Sequence, residues 1–526
     1  MAGSVVVGSC NQMDSKRYWC DKNYMLLVAQ SIKELVAQIK HGSLNLNRFV
    51  GLFYELMQSR IDSPLECIWT YSALKFRCSN TLATNAVDHF EVLKNSFHLL
   101  SSCSAACSTH KSVALLCPIV YQLFRIVKDL IADSDLGSNR SQKVCREVKS
   151  FIQKILGYAS LCFCNDLGTE IDGSTIEIPL LDLVSLWMFE EDASLKLFFP
   201  MIGAKMCSEI ENKCFDQEHF SGIVIAELFL LKLCMDISGG SRGPQLEKDL
   251  KTWAVASISG FQSVNVFDVL MTILMELNLP LACPLKSDDE QFLRVLLYDV
   301  VLLVDYSFLF GERTSHMQSN LAAKLLLKRL ILICESTEFY RKHGDHKKIV
   351  SYNASFSTSK FYLHMIKLIS TQFGLDDESN QLKDSSPRAI LKWLVELEDH
   401  SEQIFGDDDL KLLALKHAKT ASDIPETPIS GPDFNIFYID NLGEAEQEDK
   451  AQDDDMSNSM SSNFVAAAQS IYLAKGQKKR KANASNTKTK RSKLIKSDDE
   501  DEISLPEVDN SSSSESEVND PSTDEE

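Results

Sequence analysis

The chain has 526 residues, of which 44% are hydrophobic, and it carries a formal net charge of −20. Because a surface that grips DNA or RNA needs clustered Lys and Arg, this acidic balance argues against direct binding of nucleic acid. Gly and Pro are scarce, with 21 and 13 residues, which favours long helices over turn-rich strands. We therefore expect an all-α fold.

Residues 1–20 are predicted to be a flexible start to the chain. Only three apolar residues, Val5 to Val7, follow one another there and no basic region precedes them, so the segment does not read as a signal peptide. The 15 Cys are an odd number, and most lie inside apolar runs, as at Cys117, Cys234 and Cys334. That placement is typical of buried, reduced thiols.

Residues 21–421 are predicted to form a helical body. Apolar residues recur there at spacings of three and four, which places them on one face of a helix. The clearest stripes are Leu116, Val120, Leu123, Val127 and Leu130, then Leu293, Leu296, Val300, Val304 and Phe308. The runs Ala226–Met235 and Leu325–Ile333 are apolar on more than one face and predict inner helices. Charged residues interrupt the longest apolar stretches, Ile223–Ile237 and Phe292–Phe310, which argues against a membrane span.

Start and stop signals agree with this periodicity. Pro244 is expected to open one helix and Ser263 or Asn265 to cap the next, while Gly344 is expected to end a third in the left-handed conformation. No fixed repeat of the tetratricopeptide or ankyrin type is present. The predicted architecture is therefore an irregular α-solenoid of armadillo or HEAT-like helical repeats, with a single globular helical bundle as the alternative.

Residues 422–526 are rich in Asp, Glu, Ser and Asn, and we predict a disordered C-terminal tail because they cannot bury enough apolar surface to offset chain entropy. Two apolar islands lie in its first part, an acidic linker over residues 422–474. The first island is Phe434–Ile439. The second predicts a docking helix over residues 462–473, with one apolar face formed by Phe464, Ala468, Ile471 and Tyr472. The alternative is that either island folds back onto the body.

A basic segment, residues 475–496, matches a bipartite nuclear-import signal. Its two clusters are separated by a polar spacer and suit the two pockets of an importin groove. They consist of Lys478, Lys479, Arg480 and Lys481, then Lys490, Arg491 and Lys493. The alternative is a basic run that merely contacts RNA. We expect a nuclear protein, or one that shuttles with the cytoplasm, with importin as a partner.

Residues 497–526 form an acidic, Ser-rich end to the tail that contains no basic residue. From Asn441 onward the chain carries 11 basic and 20 acidic residues. Five serines in the last thirty residues have an acidic residue three positions later, the arrangement favoured by acidophilic kinases: Ser497, Ser504, Ser512, Ser514 and Ser522. Phosphates at these candidate phosphosites would deepen the negative charge.

No motif in the sequence names a reaction, so we predict that the chain is not an enzyme and needs no cofactor. Ser241 stands in a G-x-S-x-G pattern, but the run before it is too long and too helical for a hydrolase nucleophile elbow. The tight thiol clusters are Cys103-x-x-x-Cys107, with His110 nearby, and Cys162-x-Cys164. A structural zinc site needs two arms of standard spacing, and these clusters provide one, so no metal is expected. The remaining candidate, His343 and His346, is interpreted as a helix-terminal pair.

Two stretches of the body resemble the Lines family, and more specifically its plant members. They are FLRVLLYDVVLLVDYSFLF at Phe292–Phe310 and LLLKRLILICESTEFYRKHGDHKKIVSYNASF at Leu325–Phe356. The earlier LLDLVSLWM at Leu180–Met188 is also similar. The resemblance implies a helical-repeat adaptor, nuclear or shuttling, that influences transcription and developmental signalling by binding other proteins. It implies no catalytic residues.

The function predicted from the sequence is that of a nuclear helical-repeat scaffold or adaptor in transcriptional or developmental regulation. Its protein partners are not identified by any motif. The alternative function is an acidic-tailed histone-binding or ribosome-biogenesis factor, in which residues 497–526 pair with basic partners.

Overall fold

Helix follows helix along the body of the chain in the computed structural model. The structure describes residues 10–42, 45–60, 63–80, 86–102, 109–132, 139–164, 180–187, 198–203, 206, 217–239, 243–276, 278–281, 285–311, 319–375, 382, 385–400, 404–419 and 438–439. All of them lie within one compact unit, Met1–Gln469. Apart from one pair of two-residue strands, the regular structure of these residues is helical, which confirms the all-α prediction.

The described helices before residue 190 are numbered α1 to α8. They are α1 (Cys10–Lys40), α2 (Leu46–Gln58), α3 (Leu65–Asn80), α4 (Ala86–Ser102), α5 (Thr109–Ala114), α6 (Cys117–Ala132), α7 (Asn139–Cys164) and α8 (Leu180–Ser185). Those after it are α9 (Gln217–Gly239), α10 (Pro244–Phe261), α11 (Val264–Leu274), α12 (Ser287–Leu302), α13 (Ser319–Lys342), α14 (His346–Thr358), α15 (Lys360–Gln372), α16 (Pro387–His400) and α17 (Asp408–Lys419). The strands are β1 (Asp305–Tyr306) and β2 (Tyr438–Ile439).

Helix α1 begins well before the predicted start of the body at residue 21. The run from Cys10 to Lys40 contains no Gly or Pro, so no residue interrupts the helix on the N-terminal side of its apolar face. Once a helix is nucleated, each further residue adds a hydrogen bond at little cost. The expected flexible start therefore gives way to helix from Cys10 onward.

The stripes predicted from apolar spacing face the core. All five stripe residues are buried, Leu116 in the turn just before α6 and the other four, up to Leu130, within it. The run Ala226–Met235 in α9 is buried except for the half-buried Lys232, and the run Leu325–Ile333 in α13 is buried throughout. Helix α9 packs against α5, α6, α7, α11 and α12, and α13 packs against α11, α12 and each helix from α14 to α17. Both are inner helices, as predicted.

The capping signals are confirmed at three helix ends. Pro244 is the first residue of α10, where its missing N–H costs nothing. The Ser263 hydroxyl accepts a hydrogen bond from the Val266 amide at 3.3 Å and begins α11, so Asn265 lies inside that helix and is not the cap. Gly344 follows α13 with a φ of 71°, the left-handed conformation expected of it.

The stripe from Leu293 to Phe308 does not belong to a single helix. Helix α12 ends at Leu302, after which the backbone is extended at Asp305–Tyr306 and then turns through a short 3-10 segment, Ser307–Leu309. The chain leaves the helix because the Asp305 carboxylate is turned inward to the start of α15, where it accepts hydrogen bonds from the Ser359 hydroxyl and the Lys360 amide. Helical spacing beyond Leu302 is therefore a coincidence of the sequence.

Aromatic residues attach the short helix α8 to the body. The indole nitrogen of Trp69 in α3 donates a hydrogen bond to the carbonyl of Leu183 at 3.0 Å. The ring of Trp187, just after α8, lies 5.1 Å from that of Trp69 and 4.7 Å from that of Phe76 between centroids. Leu183 and Trp187 are both buried in this aromatic cluster.

The interior contains cysteine side chains, as the sequence predicts. Cys117, Cys234 and Cys334 are all buried. Among the described helices, none combines the length and the apolar character that crossing a bilayer requires.

Among the described residues, a pair of short strands joins the body to the tail. Strands β1 and β2 run parallel, with Asp305 opposite Tyr438 and Tyr306 opposite Ile439. Residues Tyr438 and Ile439 close the apolar island Phe434–Ile439, so the alternative in which this island folds back onto the body is confirmed for its last two residues.

Candidate functional site

Most of the site residues predicted from the sequence lie outside the described residues. This holds for the import clusters at Lys478–Lys481 and Lys490–Lys493, for the candidate phosphosites from Ser497 to Ser522, and for the docking helix over residues 462–473. It also holds for Ser241. These assignments stay predictions.

The metal candidates are only partly described. Cys103 and Cys107 lie outside the described residues, and among the described ones no group of three His, Cys, Asp or Glu side chains could hold a metal ion. The Nδ1 atom of His110 lies 3.0 Å from the Ser221 hydroxyl oxygen, and its ring packs against Phe163 at 5.2 Å. His110 therefore links α5 to α7 and α9.

His343 and His346 lie at helix ends, as predicted. His343 follows the last residue of α13; its Nδ1 donates to the Phe339 carbonyl at 2.7 Å and its ring lies 4.3 Å from the Phe339 ring. His346 is the first residue of α14, whose N-terminus is capped by Asp345 through a 3.1 Å bond from the Lys348 amide.

The most distinctive chemistry in the body is a set of buried charged groups around α12 and α13, here called the ionic network. Its first part is centred on Asp299, which is 2% exposed. Lys348 donates to both Asp299 oxygens at 2.7 and 2.6 Å, Tyr352 donates at 2.6 Å, and Lys251 donates at 3.3 Å. Burial raises the pKa of Tyr352 well above its usual value, and the Asp299 charge adds to the shift. The phenol therefore stays a neutral donor.

The second part of the ionic network is centred on Asp305 in β1. Its oxygens accept from the Ser359 hydroxyl at 2.7 Å and from the Lys360 amide at 2.9 Å, while Arg329 lies 3.7 Å away. Arg329 is fully buried and donates to the Leu302 carbonyl at 3.1 Å. Burial lowers the pKa of Arg329, and the Asp305 charge opposes that shift. One carboxylate thus fixes the start of α15 and the end of α12.

The third part of the ionic network joins α11 to α13. Lys328 donates to Asp268 and to the Thr272 hydroxyl, both at 2.6 Å. Burial alone would raise the pKa of Asp268, but the charges of Lys328 and Lys324 outweigh it and leave that pKa below its usual value. Asp268 is therefore a buried carboxylate that its cationic partners keep ionised.

Glu227 in α9 is a buried acid of a different kind. Both of its oxygens accept from the single amide of Met201, at 3.0 and 3.1 Å. Burial raises the pKa of Glu227 well above its usual value, and the Met201 hydrogen bonds only partly oppose the shift. The carboxyl group ties the described segment 198–203 to α9.

Sequence reasoning missed the ionic network because it classified each run by its apolar face. Lys328 and Arg329 lie inside Leu325–Ile333, which reads as a doubly covered apolar helix, and both are buried. Asp299 and Asp305 served only to argue against a membrane span. The sequence did contain a signal, because acidic residues lie in one inner run and basic residues in a later one. Burying such charges as pairs lowers the free-energy cost of removing them from water.

The ionic network anchors β1 through Asp305, and the backbone edge of β1 is the candidate functional site. The Asp305 side chain is held by α15, and the Tyr306 hydroxyl donates to the Val300 carbonyl at 3.0 Å. The Tyr306 ring lies 5.6 Å from Phe267 and 5.5 Å from Phe308. Both side chains are buried, and the backbone pairs with the tail at Tyr438–Ile439.

A second surface feature lies on the first two helices. Leu26 and Leu27 on α1 and Tyr54 on α2 are each about half exposed, at 51%, 48% and 47%. The Tyr24 hydroxyl bonds to the Leu56 carbonyl at 2.7 Å and Glu34 pairs with Arg48 at 3.1 Å, so α1 and α2 are antiparallel. The three exposed apolar side chains therefore lie at the same level of the helix pair.

About half of the residues of the ionic network lie within the two stretches that resemble the Lines family. In comparisons with known proteins, however, no family model, no curated protein and no solved structure matches this chain. The resemblance therefore stays a prediction.

Proposed function

We propose that the chain is a nuclear, non-enzymatic scaffold that binds other proteins, in transcriptional or developmental regulation. The observation that supports it best is the pairing of β1, in the helical body, with a tail segment more than a hundred residues away. A body that receives an extended segment on a fixed edge has the geometry of a peptide-binding module. The half-exposed Leu26, Leu27 and Tyr54 offer a further apolar surface.

The architecture we propose for this scaffold is an irregular α-solenoid of armadillo or HEAT type. Its inner layer would be formed by α9 and α13, whose runs Ala226–Met235 and Leu325–Ile333 are buried and which pack against many of their neighbours. Outer helices such as α2 bury one face only. A stack of this kind exposes much surface for partners.

Nuclear import is proposed to depend on the two basic clusters of residues 475–496. Replacing Lys478, Lys479 and Arg480 with Ala removes one cluster, and a second variant removes the other at Lys490, Arg491 and Lys493. The doubly substituted protein should lose nuclear accumulation, with unchanged circular dichroism. If the doubly substituted protein reaches the same nuclear concentration as the parent, the two clusters are not the import signal.

Proximity labelling in cells tests the scaffold directly. The full chain fused to a labelling enzyme should mark a reproducible set of nuclear proteins, and the import-defective variant should mark a different, cytoplasmic set. A labelled set that does not differ from that of a free nuclear labelling enzyme would contradict the proposal.

The acidic-tailed factor is a second candidate because of the unbroken acidic run Asp498–Glu502. Neutralising that run with Asn and Gln in the full chain separates the two functions. A scaffold keeps its partners in this variant, whereas an acidic factor loses basic partners such as histones. Binding by the acidic run would also weaken steeply between low and high salt.

A further inference from the structure

The edge of β1, with the tail residues that pair with it, supports a further role that rests on the proposed function. The island Phe434–Ile439 is an aromatic and aliphatic run in an otherwise polar, acidic part of the chain. Its last two residues pair in parallel with Asp305 and Tyr306. A run of this composition favours extended backbone when an edge is present to pair with it.

The edge itself is prepared for such a segment. The two Asp305 oxygens accept hydrogen bonds from the Ser359 hydroxyl and the Lys360 amide. The Tyr306 hydroxyl donates to the Val300 carbonyl. With these side chains fixed, binding costs little reorganisation of the body. The interaction it offers is main-chain pairing, which supplies affinity to many kinds of extended peptide.

We propose that the β1 edge is a docking site for extended aromatic and aliphatic peptide segments, and that Tyr438 and Ile439 are its resting occupant. The partner class is a protein with an exposed segment of the same character as FNIFYI. Because Tyr438 and Ile439 belong to the same chain as the edge, their pairing is intramolecular and their effective concentration there is about millimolar. A partner segment of equal intrinsic affinity therefore binds only when the tail strand is released. The tail in this way restrains the scaffold.

The test uses the full chain and a fluorescent synthetic peptide with the sequence of residues 432–441. In the variant Tyr438→Pro with Ile439→Pro, two strand donors are lost and the edge is vacated. A matched control, Gln447→Pro with Glu448→Pro, places the same two residues elsewhere in the tail. Circular dichroism verifies that all three proteins fold alike.

We expect fluorescence anisotropy to show at least tenfold tighter peptide binding by the Tyr438/Ile439 variant than by the parent and the control. The same peptide with proline at the positions of Tyr438 and Ile439 lacks the strand donors and should not bind. Equal binding by all three proteins, or no binding by the variant, overturns the proposal.

Hydrogen exchange locates the contact. The backbone of Asp305 and Tyr306 should exchange faster in the Tyr438/Ile439 variant and slow again when the peptide is added. Unchanged exchange at β1 would also overturn the proposal. If the peptide fails while proximity labelling still recovers nuclear partners, the scaffold function stands and only the docking edge is refuted.

Discussion

The close approach of α9 to α11 gives the sharpest test of the packing. A Cβ atom added at Gly222 would lie 2.8 Å from the Asn265 Cβ and 3.1 Å from the Val266 backbone nitrogen. These atoms belong to the first turn of α11 and cannot yield by a change of rotamer. The substitution Gly222→Ala must therefore move one helix relative to the other.

The magnitude follows from two opposing effects. Overpacking of this kind lowers the free energy of unfolding by about 1–3 kcal/mol. Replacing glycine with alanine in a helix raises it by up to about 1 kcal/mol. Gly157 in α7 provides the matched control, because a Cβ there meets no atom within 4 Å, so Gly157→Ala should only stabilise. The two variants should differ by about 1–3 kcal/mol, with Gly222→Ala the less stable.

Thermal unfolding of the full chain, followed by circular dichroism, measures this difference. Midpoints are compared directly, since a body of this size need not unfold in one step. Gly51→Ala in α2, where a Cβ also meets no atom within 4 Å, repeats the control on another helix. If Gly222→Ala melts at or above the temperature of Gly157→Ala, α9 does not approach α11 as described.

Substitutions at three further positions test the buried polar groups. Since burial raises the pKa of Glu227, its contribution to stability is present in acid and is lost as the pH rises through the folded-state pKa. Glu227→Gln should therefore melt higher than the parent at pH 8 but not at pH 4.5, and parallel curves would contradict this. Asp268→Asn deprives the buried Lys328 of its carboxylate partner. It should lower the free energy of unfolding, measured by chemical denaturation, by about 3–5 kcal/mol. Ser263→Ala removes the N-cap of α11 and should lower the free energy of unfolding by about 1 kcal/mol. Ser263→Asp keeps a side-chain oxygen at the cap and should restore the stability of the parent.

The helical body was predictable because its determinants are local. The stripe of α6 is buried in full, and Pro244 and Gly344 mark helix ends as short-range rules require. Apolar spacing reports the turn of a helix within a dozen residues, and caps act within one turn. Both signals are complete in a single sequence.

The candidate site was not predictable because its determinants are distant. Lys328 finds Asp268 sixty residues earlier, and Asp305 finds Lys360 fifty-five residues later. No local sequence pattern predicts which acidic side chain will pair with which basic side chain. For the same reason apolar residues at helical spacing continue past Leu302, although α12 ends there and the Asp305 carboxylate accepts a long-range hydrogen bond from the Lys360 amide. The tail assignments lie outside the described residues and stay predictions.

The wide sequence separation within the ionic network has a consequence for synthesis of the protein on the ribosome. Asp299 is translated 49 residues before Lys348, its closest cation. At ordinary elongation rates this is a delay on the order of 2–10 s. During that interval α12 carries a carboxylate whose full set of partners does not yet exist, because Tyr352 also follows in the chain. Premature termination between the two residues would release a product in which Asp299 has Lys251 but neither Lys348 nor Tyr352, a ready substrate for chaperones and proteases.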